Sequence, residues 1–81
     1  MRFKRELNIF MYEMERVLNN EKNSLKESDL NKISTHEAIL KYVEEFEEFA
    51  AELWSCKRDD RRAKAELIDL ANALMMLYFK L

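Results

Sequence analysis

Apolar residues recur at three- and four-residue steps from Phe3 to Leu18, at Phe3, Leu7, Phe10, Met11, Met14, Val17 and Leu18. That period lines one face of an amphipathic α-helix. The run Asn19-Asn20-Glu21-Lys22-Asn23-Ser24 breaks it with side chains that compete for backbone hydrogen bonds, and predicts a turn. Leu25, Leu30 and Ile33 fit either a short helix or a packed connector. A second long helix is predicted from the capping box Ser34-Thr35-His36-Glu37 to about Cys56. Its stripe is Ile39, Val43, Phe46, Ala50 and Leu53, with Tyr42 and Phe49 on one flank and Trp54 on the other. The charge run from Lys57 to Arg62 ends it, and Asp59 or Asp60 supplies the N-cap of a third helix from about Arg61 to Lys80. Leu67, Ile68, Leu70, Ala71, Leu74, Met75, Leu77, Tyr78 and Phe79 surround most of that helix, so burial on several sides is expected, part of it by another subunit.

Composition strengthens this reading. The 81 residues include no glycine and no proline, which disfavours tight β-hairpins and excludes collagenous, Gly/Ser-linker or proline-rich chains. The fold class is therefore all-α, a small bundle of three main helices with helices 2 and 3 antiparallel. A chain this short buries only about 60% of its unfolded surface, so completion by oligomerisation is expected. Fourteen basic against sixteen acidic residues give a net charge of −2, which offers no overall attraction to nucleic acid or to a membrane. No apolar run reaches membrane-spanning length, Arg2, Lys4 and Arg5 precede an amphipathic segment rather than a signal sequence, and Cys56 is a lone cysteine without zinc-type spacing. A soluble, cytoplasmic chain is expected.

The candidate chemistry lies in the carboxylates. On helix 2, Glu45, Glu48 and Glu52 fall within about 60° of one another, with Glu44 about 40° beyond Glu48. Like charges at these spacings oppose each other unless something positive covers them, and Lys41 supplies one charge. A solvated acidic face accounts for many such runs. Helix 3, however, carries Glu66 and Asp69 three apart as nearly its only acids, and carboxylates on a buried helix are costly unless paired or metal-bound. Across an antiparallel pair, Glu45, Glu48, Glu66 and Asp69 offer four oxygen donors to a hard divalent cation, Mg²⁺ or Mn²⁺.

Glu44-Glu45-Phe46-Glu47-Glu48, followed after seventeen residues by Glu66-Leu67-Ile68-Asp69, resembles the EExxE…ExxD signature of the MazG-like all-α nucleoside triphosphate pyrophosphohydrolases. The likeness covers about Thr35 to Phe79 and includes the apolar phasing of both helices. It implies a single MazG-like helical domain over residues 1–81 that assembles as a homodimer or homotetramer. The implied activity is Mg²⁺-dependent hydrolysis of a nucleoside triphosphate, including non-standard or deoxy nucleotides, to monophosphate and pyrophosphate. Glu45, Glu48, Glu66 and Asp69 would hold the metal, Glu48 would also serve catalysis, and Glu44 would be a catalytic water-orienting base, an outer ligand or a structural partner. A triphosphate brings about four negative charges, and only metal bridging lets it approach such a cluster. The chain ends twelve residues past Asp69, at Leu81, where related enzymes commonly continue. That keeps a second reading in view, a non-catalytic oligomer that sequesters a nucleotide or cyclic nucleotide.

Around the signature, Arg58, Arg61 and Arg62, with Lys57 and Lys64, either reach phosphates or form a plain charged loop. Trp54 is the best candidate for stacking on a base, although aromatic residues at helical spacing more often belong to a core. Asn72, one turn past Asp69, suits either a substrate contact or, slightly better, an interhelical hydrogen bond. His36 and Cys56 carry no catalytic pattern.

Overall fold

A computed structural model describes residues 2–20 and 32–81 of the chain. It contains three helices, α1 (Lys4–Leu18), α2 (Thr35–Leu53) and α3 (Asp60–Lys80), with no strand among the described residues. Asn19 and Asn20 close α1 as expected, whereas the rest of the predicted turn, together with Leu25 and Leu30, lies outside the described residues.

Side chains do the work of the missing glycines. Ser34 accepts from the Glu37 backbone N–H at 3.0 Å while the Glu37 carboxylate accepts from Ser34 N at 3.4 Å, completing the capping box at the start of α2. We predict that Ser34→Ala costs about 1 kcal/mol of stability, readable as a lower midpoint in denaturant melts. The other end of α2 falls at Leu53 rather than Cys56. Trp54 N makes the last bond of helical type, to Ala50 O, and Ser55 N shifts to Glu52 O, tightening the turn. The Ser55 hydroxyl then accepts from Lys57 N, and the Glu52 carboxylate accepts from Asp59 N at 3.1 Å. The chain thus reverses without any positive-φ residue among those described. Asp59 caps α3 through its carboxylate, which accepts from Arg61 N at 2.9 Å, so α3 begins at Asp60, one residue earlier than the pattern suggests.

The short reversal lays α2 antiparallel and close along α3, and α1 packs on another side of α3. α3 is the central helix, in contact with both other helices of the same chain. Ala63, Ile68, Leu70, Asn72, Ala73 and Met76 are buried there, while Leu67, Leu74, Tyr78 and Phe79 stay exposed.

The surprise lies in α2. Its contact face holds Ala38, Glu45, Tyr42, Phe49 and Glu52, all buried or half-buried; of the predicted stripe Ala50 is half-buried, whereas Ile39, Val43, Phe46 and Leu53 remain 37–48% exposed. At about 100° per residue the packed face is centred roughly 100° away from that stripe, towards the acids. Trp54 joins neither face; it is the C-cap of α2 and 82% exposed.

Candidate metal centre

The rotation of α2 carries its carboxylates into the α2–α3 contact. Glu45 is buried at the centre of the packed face and Glu48 stands one turn further along at its exposed margin. Glu66 projects from α3 and is half-buried. One carboxylate oxygen from each of the three lies within 4.8 Å of the other two. Two helices therefore converge three negative groups on one point, an arrangement that needs a compensating positive charge.

Part of the compensation is visible. Lys41 Nζ sits 2.7 Å from Glu45 Oε1, one helical turn away on α2. It leaves Glu45 Oε2 and Glu66 Oε2 buried with no hydrogen-bond partner. Buried oxygens without donors are costly, by about 1–3 kcal/mol each and more when charged. Three carboxylates with two such oxygens fit a hard divalent cation that takes oxygen ligands and keeps water or phosphate in its remaining positions. The donor set admits Mg²⁺ and Mn²⁺ alike.

Electrostatics registers the same crowding. The charge of Glu45 holds the Glu48 carboxyl above the usual glutamate range, with burial and Glu44 adding to it. Burial, followed by the charges of Glu48, Asp69 and Glu45, raises Glu66. Asp69 is raised by burial and then by Glu45. Lys41 is pushed up as well, chiefly by its hydrogen bond to Glu45.

These shifts fix the sign of a pH dependence. A carboxyl whose pKa is raised on folding binds its proton more tightly in the native state. Its stabilising contribution is fully present below about pH 4 and disappears as pH rises through the raised values. Metal-free protein is therefore expected to melt at a higher temperature near pH 5 than near pH 7.5. A divalent cation bound there would replace those protons, so saturating Mg²⁺ is expected to reverse the trend. Circular dichroism melts across that range, with and without Mg²⁺, provide the check, and a metal-free midpoint that climbs towards pH 7.5 would contradict the crowding.

The remaining predicted site residues divide. Asp69 lies outside the group of three that share 4.8 Å, although its charge acts on both Glu48 and Glu66. Glu44 is exposed on the outer shoulder of α2. Asn72 is 2% exposed and donates through Nδ2 to Met14 O at 3.3 Å, the interhelical bond that ties α1 to α3. Its Oδ1 is buried without a partner. Arg58 pairs with Asp60 at 3.0 Å, and Arg62 lies 3.9 Å from Glu52. Trp54, Arg58 and Arg62 thus surround the α2–α3 turn rather than the trio of glutamates. Arg61 and Lys64 line a groove of about 620 Å³ between α1 and α3 whose walls include Ile9, Phe10, Leu67, Ile68 and Asp69. Neither this groove nor the role of Lys41 as partner of Glu45 is singled out by periodicity. An i, i+4 pairing of Lys41 with Glu45 is the one signal available for the second.

Comparisons with protein-family models, with curated proteins and with solved structures find no match. Among the described residues no helix is long and apolar enough to cross a membrane.

Proposed function

We propose that this protein is a divalent-metal-dependent nucleoside triphosphate pyrophosphohydrolase, organised like the MazG-like enzymes that its EExxE…ExxD pattern resembles. The observation that carries this reading is the convergence of Glu45, Glu48 and Glu66 from two helices within 4.8 Å, with two of their oxygens buried and unpartnered. A cation bound there would supply charge neutralisation for the phosphates and polarisation of the attacked phosphorus.

The chain's own residues would perform the other tasks. Glu45 and Glu66 are rigidly placed by helix packing and act as anchors. Glu48 is exposed and holds its proton more tightly than an ordinary glutamate, two properties that suit a group taking a proton from attacking water. Glu44 sits beside it and strengthens that tendency by its charge. Asp69 connects the acidic cluster to the α1–α3 groove, where apolar walls suit a flat ring and Arg61 and Lys64 suit phosphate oxygens. Arg58, Arg62 and Trp54 at the neighbouring turn complete a basic and aromatic margin for the nucleotide.

Self-association belongs to the same proposal. Among the described residues 17 large hydrophobic side chains are exposed, including most of the α2 stripe and outer residues of α1 and α3. A second copy docked on α2 would cover Ile39, Val43, Phe46 and Leu53 without touching the packed acidic side of that helix.

Incubation of the purified protein with a panel of ribo- and deoxynucleoside triphosphates and Mg²⁺, with assay of pyrophosphate, tests the activity. Release of pyrophosphate and monophosphate from at least one nucleotide is expected. Thermal stabilisation by nucleotide with no turnover, independent of Mg²⁺, would instead favour the sequestering reading.

A further inference from the structure

Lys41 is the one positive group bonded to the trio of glutamates among the described residues, and it is bonded to the most buried of them. Its ammonium reaches Glu45 Oε1 at 2.7 Å, while the lysine side chain is 36% exposed and that of Glu45 only 8%. The partner oxygen Glu45 Oε2 and Glu66 Oε2 are left without donors, so the ammonium satisfies one edge of the cluster and no more. A single cation on a flexible four-carbon stem thus pairs with Glu45 and faces the nearby charges of Glu44 and Glu48.

We propose that Lys41 is a built-in, displaceable counter-cation that holds the place of the divalent ion in the metal-free protein. Resting on the metal-centre reading above, this assigns Lys41 two opposed effects. It keeps α2 and α3 together when no metal is bound, because without it Glu45 would be a buried charge with no partner. It also competes with the incoming metal, because a positive charge within a few ångströms of the site repels a second one. When the divalent ion binds, its two charges replace the single charge of the ammonium, and Lys41 swings outward along the exposed side of its stem. The i, i+4 spacing suits the exchange, since the lysine leaves by rotation of its own side chain and the helix need not move.

The test is calorimetric titration of the full chain with Mn²⁺ at fixed ionic strength, comparing the parent protein with Lys41→Met and Lys41→Gln. Both substitutions should tighten Mn²⁺ binding about tenfold, given the screened repulsion they remove. Both should also lower the metal-free melting temperature, with the loss recovered when Mn²⁺ saturates. In the unmutated chain, the side-chain NMR signals of Lys41 should shift as diamagnetic Mg²⁺ is added, reporting release from Glu45 even if a variant folds poorly. Binding by the parent with equal or weaker affinity in both variants, or Lys41 signals that stay fixed while Mg²⁺ binds, would overturn the displacement. No uptake of Mn²⁺ by any of the three proteins would overturn it together with the metal centre itself, so the two failures are distinguishable.

Discussion

Glu66→Gln is expected to weaken Mn²⁺ binding by at least about 100-fold, to reduce pyrophosphate release by about 10³-fold or more, and to raise the melting temperature of the metal-free chain. The opposite directions follow from one observation. Glu66 Oε2 is buried without a hydrogen-bond partner, and burial with the neighbouring charge of Glu48 already disfavours the ionised form. A neutral amide of nearly the same shape removes that penalty and, with it, the ligand. A glutamate that merely braced the helix contact would behave differently, losing stability on substitution with no specific effect on metal. Calorimetric titration with Mn²⁺, paired with melts in a chelator, separates the two. Glu45→Gln should share the loss of metal binding but not the gain in stability, because Lys41 would then lose its anionic partner.

Phe46→Asp is expected to shift the protein from a self-associated form to a monomer, with a rise in the dimer dissociation constant of about 100-fold or more. Phe46 is the largest member of the α2 stripe and is 48% exposed although it lies mid-helix. Full burial of such a side chain contributes about 1.5–3 kcal/mol, about half of which remains to be gained from its present state. A carboxylate placed in the same contact adds a desolvation cost of several kcal/mol. The position points away from the α3 contact, so helix content in the monomer should persist. Sedimentation velocity over a concentration series reads the outcome, and a parent protein that is monomeric at all concentrations would remove the basis for this expectation.

The three helices and the N-caps of α2 and α3 were legible because each depends on local chemistry. The Ser34–Glu37 capping box and the Asp59 cap are short-range patterns whose spacing states the hydrogen bond directly. The end of α2 was harder to place, since the Leu53–Asp60 reversal is built from Ser55, Glu52 and Asp59 side chains rather than from a glycine that would announce it. Periodicity also misassigned the face that α2 turns to its partner. Hydrophobic counting selects the most apolar arc, whereas α2 packs through Ala38, Tyr42, Glu45 and Phe49, where an alanine permits close approach and a lysine offsets a buried glutamate. That rotation brings Glu45, Glu48 and Glu66 together, so the meeting of three of the four expected acids was legible in their spacing while the burial of Glu45 was not. Asn72 shows the converse, because a polar residue on an otherwise apolar helix resolves into an interhelical bond to Met14 O.

The proposed chemistry requires a divalent cation between α2 and α3. A crystal structure of the full chain grown or soaked with Mn²⁺, with data collected at a wavelength that reveals manganese by anomalous scattering, would locate it. The predicted result is a peak about 2.0–2.3 Å from oxygens of Glu45, Glu48 and Glu66, with water filling the open positions. Absence of a peak at that site, with the three carboxylates paired instead to basic side chains, would contradict it.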